Sequence, residues 1–254
     1  MLVFGFMVVV KSIVRKSSAV GFFDFLADME LYAEKADTVP RMNARHSFLI
    51  EPFKDEIKGA RVFDIASHDG RWAYAFAGAG AREVVGVEAR QELIDLFETY
   101  PDPDLRARVE LRCNDLFKEL ESEVEKGEVY DVVGVFGIFY HIMDHFRLLK
   151  LVQALKPKVI IVDSEFMDKN WPMIQMQREN TGNILNAAEQ IEGQETAIVG
   201  YPSFKALDAM ADVLGYDCVW LDWFSVPEDQ RIGTWDYYRK STKRRGTCAL
   251  IPRA

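Results

Sequence analysis

The feature that most constrains this fold is a regular alternation of short apolar runs with helix-length segments between residues 60 and 163. Apolar strands that are separated by helices pair in parallel and are covered on both faces. The pattern therefore predicts an open, doubly wound α/β sheet. The predicted strands are Arg61–Ile65, Glu83–Glu88, Val109–Cys113, Tyr130–Gly137 and Lys158–Asp163, and the predicted helices cover 71–79, 91–100, a charged segment ending near 126, and 141–155.

The alternation stops after Asp163. Residues 166–200 are rich in Asn, Gln and Met and show no clear strand, whereas residues 223–245 are aromatic and then basic. Between these segments we expect a helix that Ser203 caps and Gly215 ends, followed by the last two strands at 217–221 and 246–252. Ligands of open α/β sheets bind at the carboxyl ends of the strands, so 166–200 and 223–245 are predicted to form substrate walls.

The N-terminal part, residues 1–58, is predicted to be an apolar segment followed by a helical lid. Amphipathic helices are expected at 21–36 and 46–58, and the second is expected to bend at Pro52. The apolar run Leu2–Val10 is too short to span a bilayer. Positive charge follows this run instead of preceding it, which argues against a signal peptide. We therefore expect an extra strand or a homodimer contact there, and no membrane span.

Charge and cysteine usage exclude several classes of protein. The 31 Lys and Arg residues against 40 Asp and Glu give a net charge of −9, which disfavours a general nucleic-acid coat. The three cysteines lie far apart and form no C-x-x-C pair, so neither a zinc knuckle nor a disulfide framework is indicated. A reduced, cytoplasmic compartment is the expectation.

Acidic residues and a turn mark the ends of the first two predicted strands. Asp64 lies near the end of the first strand, Gly70 opens the following helix, and Glu88 ends the second strand. A carboxylate in the place of Glu88 can accept two hydrogen bonds from ribose hydroxyls. The turn 67–70 brings backbone N–H groups to a helix N-terminus, which suits a carboxylate or phosphate.

These residues resemble the motifs of class I S-adenosylmethionine-dependent methyltransferases, whose fold is Rossmann-like. The first motif of that family has an acidic residue followed by three alternating glycines; the sequence here is DIASHDG, with Ala66 and His68 at the first two glycine positions. The resemblance implies S-adenosylmethionine as cofactor, S-adenosylhomocysteine as product, and a seven-stranded sheet whose last strand is antiparallel in residues 59–254. It implies cofactor contacts from Asp64, Ala66, Ser67, His68, Asp69, Gly70, Glu88, Ala89, Asn114, Asp115, Leu116, Phe136 and Gly137.

The variant loop and the Tyr140-His141 pair are similar to a branch that includes wobble-uridine tRNA-modifying enzymes. Tyr140 and His141, which follow the fourth predicted strand, and Asp163, at the end of the fifth, are the catalytic candidates. The imidazole of His141 can accept a proton from an acceptor, or it can cap a helix; Asp163 can act as a base or cap a turn. His145 lies four residues after His141, but no third ligand is evident and no metal is predicted.

The expected reaction is methyl transfer to an oxygen or nitrogen nucleophile of a small molecule. An RNA acceptor is the alternative, because the basic run Arg239–Arg245 follows Trp235 and Tyr237. A non-catalytic binding protein is a third possibility, since two glycines of the first motif are replaced. A dinucleotide enzyme is disfavoured by the absence of G-x-G-x-x-G. The segment Arg41–His46 is expected either to place an arginine on the cofactor carboxylate or to be a solvated helix start.

Overall fold

A seven-stranded sheet forms the centre of the computed structural model, which describes residues 21–33 and 36–253. A separate hairpin joins strands β6 and β7. Strands β1 to β9 span Arg61–Ile65, Glu83–Glu88, Val109–Cys113, Val132–Phe136, Val159–Met167, Ile174–Asn180, Thr196–Pro202, Tyr216–Trp220 and Lys243–Pro252.

The strand order of the large sheet is β3-β2-β1-β4-β5-β9-β8. Strands β1 to β5 pair in parallel, whereas β9 runs antiparallel to both β5 and β8. This arrangement confirms the predicted doubly wound sheet and its antiparallel last strand. The chain leaves β1 toward β2 and β3 and returns to β4, so the strand order reverses beside β1. Open α/β sheets bind ligands in the crevice at such a reversal, outside the carboxyl ends of the strands.

Helices connect the parallel strands and cover both faces of the sheet. Helices α1 to α9 span Glu30–Ala33, Thr38–Leu49, Lys54–Ile57, Arg71–Gly78, Gln91–Ile94, Pro103–Arg106, Leu116–Glu125, His145–Ala154 and Phe204–Val213, and 3-10 turns lie at Asp24–Asp28, Glu51–Phe53, Asp95–Thr99, Trp223–Ser225, Glu228–Gln230 and Trp235–Tyr237. The N-cap prediction for α9 is confirmed: Ser203 Oγ accepts the N–H of Ala206 at 3.0 Å.

Several predicted helices begin or end elsewhere. The segment 46–58, predicted as one helix, contains the end of α2, which begins at Thr38, then the turn with Pro52 and then α3. The helix predicted at 141–155 begins only at His145, because a turn follows β4. The segments 21–36 and 91–100 each contain a 3-10 turn beside a short α-helix.

The prediction that 166–200 contains no strand is wrong. β5 continues to Met167, and the hairpin β6–β7 pairs Ile174 with Pro202 and Asn180 with Thr196. Exposed and half-buried residues alternate along β6. The strand escaped detection because its sequence, IQMQREN, is mostly polar and has a single β-branched residue, Ile174.

Apolar side chains fill both faces of the sheet, and the N-terminal helices belong to one of these cores. Phe23, Leu26 and Leu49 pack in the same cluster as Trp72 and Phe76 of α4. The predicted strand or dimer contact at Leu2–Val10 lies outside the described residues. Within the part of the chain that is described, no helix has the length and apolar character needed to cross a bilayer.

Candidate functional site

The loop between β1 and α4 has an unusual backbone path. Ala66, His68 and Gly70 all have positive φ angles, of 54°, 56° and 77°. This left-handed conformation is ordinary for glycine and costs other residues about 1–2 kcal/mol. The loop therefore keeps three alternating left-handed positions although only the last is a glycine. Ala66 and His68 adopt the conformation for which glycine is normally selected.

Contacts with β2 fix this loop at the carboxyl end of the sheet. The carboxylate of Glu88 accepts the backbone N–H of His68 at 3.0 Å and that of Arg90 at 3.2 Å. The N–H of Ser67 donates to the carbonyl of Val87 at 2.8 Å. Glu88 thus lies at the mouth of the loop: its Oε2 holds the loop through His68, and its Oε1 accepts the N–H of Arg90, which follows β2.

The Asp69 side chain points into the protein interior and holds the loop there through buried hydrogen bonds. Its fully buried carboxylate accepts hydrogen bonds from the Tyr32 hydroxyl and from Arg71 Nε, the latter at 2.6 Å. Burial opposes ionisation, but the adjacent Arg71 guanidinium holds the pKa of Asp69 well below its usual range. Asp69 is therefore an ionised anchor whose side chain shapes the turn.

Three side-chain atoms around the loop are buried and, among the described residues, have no hydrogen-bond partner. They are Asp64 Oδ2, Ser67 Oγ and His68 Nε2. A buried polar atom without a partner costs about 1–3 kcal/mol. Such atoms at a strand reversal indicate a site where a ligand supplies the missing partners.

The protonation states of these side chains follow from their surroundings. Burial, opposed in part by Arg71, raises the pKa of Asp64 to about 8. Burial and the Arg71 guanidinium lower the pKa of His68, so its imidazole is neutral. Because Arg71 donates to His68 Nδ1, the ring hydrogen lies on Nε2. The site therefore offers a neutral carboxyl group, a hydroxyl and an imidazole N–H.

The residues predicted to frame an adenine lie beside Glu88. The N–H of Asn114 donates to the Glu88 carbonyl at 3.0 Å, and Asp115 caps α7 by accepting two backbone N–H groups at 3.0 Å. Leu116 is half-buried and Ala89 is exposed. These side chains thus follow β2 and β3 directly, at the same edge of the sheet as the β1 loop.

The loop between β6 and β7 lies next to this edge. Arg90 donates to the carbonyls of Ile184 and Asn186 at 3.3 and 3.1 Å. A cleft of about 460 Å³ remains between the two segments, lined by Ala89, Arg90, Glu92, Thr181, Gly182, Ile184, Ala188 and Glu189. The predicted substrate wall 166–200 therefore contains a hairpin, and the loop of this hairpin borders the sheet at the carboxyl end of β2.

His141 follows β4 and pairs with a residue that the sequence analysis missed. Its Nδ1 lies 2.6 Å from Glu179 Oε2, and both side chains are about nine-tenths buried. Burial opposes ionisation, but His141 holds the pKa of Glu179 below its usual range. Glu179 lies on the half-buried face of β6, which is polar, whereas the apolar Ile174 and Met176 are exposed. The hydrophobic pattern therefore gave no signal that the Glu179 side chain faces inward.

Asp163 lies in the middle of β5, level with the end of β4, where it is fully buried and accepts four hydrogen bonds. They come from Arg45 at 2.7 Å, Arg245 at 2.8 Å, Tyr237 at 2.7 Å and Thr247 at 2.6 Å. Burial opposes ionisation, but the two arginines lower the pKa of Asp163. A carboxylate with every lone pair engaged cannot also take a proton from an acceptor, so the geometry favours a positioning role.

Tyr140 is linked to Asp163 through one guanidinium. Arg245 binds Asp163 and also donates to the Tyr140 hydroxyl at 3.1 Å. The Tyr140 ring lies against the His141 ring, with centroids 4.0 Å apart. The structure thus brings Tyr140, His141 and the Asp163 network together beside β4 and β5.

The predicted lid arginines are engaged within the protein. Arg41 binds both carboxylate oxygens of Asp236, at 2.6 and 2.7 Å, and Arg45 binds Asp163. The expectation of a solvated helix start at Arg41–His46 is wrong, because Arg45 and His46 are buried. The alternative, an arginine on a cofactor carboxylate, is not favoured either, since both guanidiniums already hold an aspartate.

The two residues predicted at the end of β4 have different surroundings. The Phe136 ring is buried against Phe76 and Trp72, at centroid distances of 5.7 and 5.4 Å. Gly137 has a φ of 81°, and its N–H donates to the Asp163 carbonyl at 2.8 Å. Gly137 therefore forms the turn at the edge of the crevice, whereas the Phe136 ring belongs to the core.

The basic run of the C-terminal segment is largely neutralised. Arg239 and Lys243 pair with Glu165 at 2.5 and 3.2 Å, and Arg244 pairs with Asp168 at 3.3 Å. Arg245 is buried. The run therefore presents much less positive charge to a nucleic acid than its sequence suggests.

His145 joins α8 to the hairpin. Its ring nitrogens lie 2.9 Å from the Met143 carbonyl and 3.0 Å from the Gly200 carbonyl. These contacts orient the ring away from a shared site with His141. Across residues 21–33 and 36–253, no group of three or more His, Cys, Asp or Glu side chains could hold a metal ion.

The fold is similar to that of solved methyltransferases. The N-terminal domain of EvdMO1, solved in the presence of S-adenosylhomocysteine (SAH) and D-fucose, matches with a TM-score of 0.60 and 17% identity over 87% of this chain and 84% of that one. The DhpI–SAH complex matches with a TM-score of 0.52 and 18% identity, and the match covers 87% of this chain and 91% of that one. An S-adenosylmethionine-dependent methyltransferase from Mesorhizobium loti matches with a TM-score of 0.55 and 12% identity, and the match covers 84% of this chain and 99% of that one.

Sequence comparison adds nothing to these structural matches. No family model matches the chain, and no curated protein matches it. At the identities above, the matches show that this chain has the fold of S-adenosylmethionine-dependent methyltransferases.

Proposed function

We propose that the protein is an S-adenosylmethionine-dependent methyltransferase. The observation that carries this proposal is the β1 loop, with its alternating left-handed residues, its unpartnered buried polar atoms and Glu88 at its mouth. The presence of SAH in the EvdMO1 and DhpI structures, which share the fold, supports the same cofactor.

The residues present fit this cofactor. Each Glu88 oxygen uses one lone pair on a backbone N–H, which leaves another for a ribose hydroxyl. Asp64, Ser67 and His68 offer partners to the ammonium and carboxylate groups of the methionine end. The segment 114–116 would frame the adenine beside the cleft that Arg90 borders.

The bound cofactor supplies an activated methyl group. The protein then has to orient the acceptor in line with that methyl group and, where needed, remove a proton. Tyr140 and His141 would face the acceptor, and Asp163 would hold Tyr140 through Arg245. We assign Asp163 this positioning role in place of direct proton transfer.

A small polar molecule is the acceptor that we favour. The hairpin β6–β7 borders the crevice, and the ion pairs of Glu165 and Asp168 neutralise the basic run that would otherwise suit RNA. The EvdMO1 domain was solved with a sugar, D-fucose, as well as SAH.

The cofactor assignment is tested by a Glu88→Gln variant. An amide nitrogen cannot accept a hydrogen bond, so the variant disturbs both the loop and the ribose contact. We expect SAH affinity, measured by microscale thermophoresis, to fall at least tenfold. The matched control is Glu125→Gln, an exposed position at the end of α7, which should bind like the wild type. Unchanged affinity in folded Glu88→Gln protein contradicts the assignment.

A further inference from the structure

Glu179 and His141 form a pair that is built more tightly than a surface ion pair. Besides the imidazole, the Glu179 carboxylate accepts the N–H of Ala187 at 3.0 Å and the hydroxyl of Tyr201 at 3.3 Å. Both donors belong to the hairpin that carries Glu179, so the hairpin itself fixes the carboxylate independently of His141. Its pKa lies below the usual range, with burial opposing and His141 favouring the ionised form.

The fixed carboxylate determines the state of the imidazole. An ionised carboxylate only accepts hydrogen bonds, so His141 Nδ1 must carry the hydrogen of the 2.6 Å contact. In the neutral ring the lone pair then lies on Nε2. Within the described residues Nε2 has no hydrogen-bond partner, and it is not enclosed. Glu179 thus prepares Nε2 to accept a proton.

The pair lies beside the crevice of the sheet. His141 follows β4, and β4 neighbours β1, whose loop carries the unpartnered polar atoms. The His141 ring contacts the Tyr140 ring, and Arg245 holds the Tyr140 hydroxyl. Two separate carboxylates, Glu179 and Asp163, therefore fix adjacent aromatic side chains at this point.

We infer, resting on the proposed function, that the acceptor atom is a hydroxyl oxygen, that His141 is its general base, and that Glu179 is the positioning residue for His141. A hydroxyl is a poor nucleophile until its proton leaves, so it needs such a base. A neutral amine attacks without one and can release its proton to water afterwards. A carboxylate-fixed imidazole therefore favours a hydroxyl acceptor over a neutral amine.

The reaction balances with these groups alone. The Nε2 lone pair takes the hydroxyl proton while the oxygen forms a bond to the methyl carbon. The bond between that carbon and the sulfonium sulfur breaks, and its electron pair stays on sulfur. The products are a methyl ether, the neutral thioether SAH and an imidazolium, which Glu179 stabilises before the proton passes to solvent.

The tautomer of His141 tests the pairing without any acceptor. We would record two-bond ¹H–¹⁵N spectra of ¹⁵N-histidine-labelled protein at pH 8, with the His141 signals assigned by their loss in His141→Asn. The inference predicts a proton-bearing Nδ1 and a bare Nε2. In Glu179→Gln the amide can accept or donate, so the two tautomers should mix. A wild-type ring with the proton on Nε2 overturns the inference.

Methyl transfer tests the acceptor atom. The probes are two matched pairs, D-glucose with D-glucosamine and 4-hydroxybenzoate with 4-aminobenzoate, incubated with methyl-tritiated S-adenosylmethionine and identified by mass spectrometry. Only O-methyl products are expected, and Glu179→Gln should lower kcat by about 10²–10⁴-fold. Glu125→Gln, an exposed position at the end of α7 and outside both predicted substrate walls, is the matched control. An N-methyl product overturns the inference.

SAH titration separates this inference from the proposed function. Glu179→Gln should bind SAH within threefold of the wild type, because the hydrogen bonds of Glu179 go to His141, Tyr201 and Ala187 and to none of the residues assigned to the cofactor. If neither protein binds SAH, the proposed function fails. If both bind it and the tautomer is the opposite one, only the His141–Glu179 assignment fails.

Discussion

Asp64 provides a quantitative prediction about cofactor binding. Burial raises its pKa to about 8, so at pH 7 roughly 0.9 of the molecules carry a proton on this carboxyl group. The ammonium group at the methionine end of the cofactor favours the ionised carboxylate. Binding should therefore release roughly 0.9 proton from Asp64 at pH 7, and about half a proton at pH 8.

The assay is calorimetric titration with SAH at pH 7 in phosphate, HEPES and Tris, whose ionisation enthalpies differ. The slope of the observed enthalpy against the buffer enthalpy gives the number of protons released. Asp64→Asn keeps the shape but cannot titrate, so its slope should differ by roughly 0.9 proton. Protons from SAH itself enter both slopes equally and cancel. Equal slopes in the two proteins refute the reasoning.

The same pKa determines how Asp64 affects folding. Between its ordinary pKa of 3.8 and about 8, the folded protein binds more protons at this group than the unfolded chain does. Asp64 therefore costs stability progressively as the pH rises through that range, and Asp64→Asn should flatten the decline. Urea unfolding at pH 5 and pH 8 measures this change in the free energy of unfolding in both proteins. An Asp64→Asn protein whose stability falls as steeply as that of the wild type would contradict the assignment.

Three further variants test the loop and the buried network by urea unfolding. Ala66→Gly should raise the free energy of unfolding by about 0.5–1 kcal/mol, because relief of the left-handed strain exceeds the entropy cost of glycine; a loss of stability would count against that strain. Gly70→Ala should lower it by about 1–3 kcal/mol, since its Cβ would lie 2.5 Å from a buried ring at a φ of +77°; an unchanged midpoint would be unexpected. Asp163→Asn should lower it by about 3–5 kcal/mol by leaving Arg45 and Arg245 without their shared charge; a loss below 1 kcal/mol would show that the network contributes little.

The sequence predicted what depends on local pattern. Continuous apolar runs specify buried parallel strands, and the chain order of strands and helices then places Asp64 and Glu88 at one edge of the sheet. The conformation of the β1 loop could be expected from its position, although Ala66 and His68 lack the freedom of glycine.

Pairings between distant segments were not predictable in the same way. Glu179 and His141 are 38 residues apart in the sequence, and Asp163 and Arg245 are 82 residues apart, so the local sequence does not indicate either contact. The strand that carries Glu179 is mostly polar and gave no propensity signal. The basic run at 239–245 indicated a nucleic-acid surface only because its acidic partners lie on a different strand.

The most direct test of the account is a calorimetric titration of the wild-type protein with SAH at pH 7.5. The account predicts one-to-one binding with a micromolar Kd, because the β1 loop retains its conformation with Ala66 and His68 in place and because Asp64 and Ser67 offer unpartnered atoms. The absence of binding by folded protein at millimolar SAH would contradict it and would remove the basis for a methyltransferase.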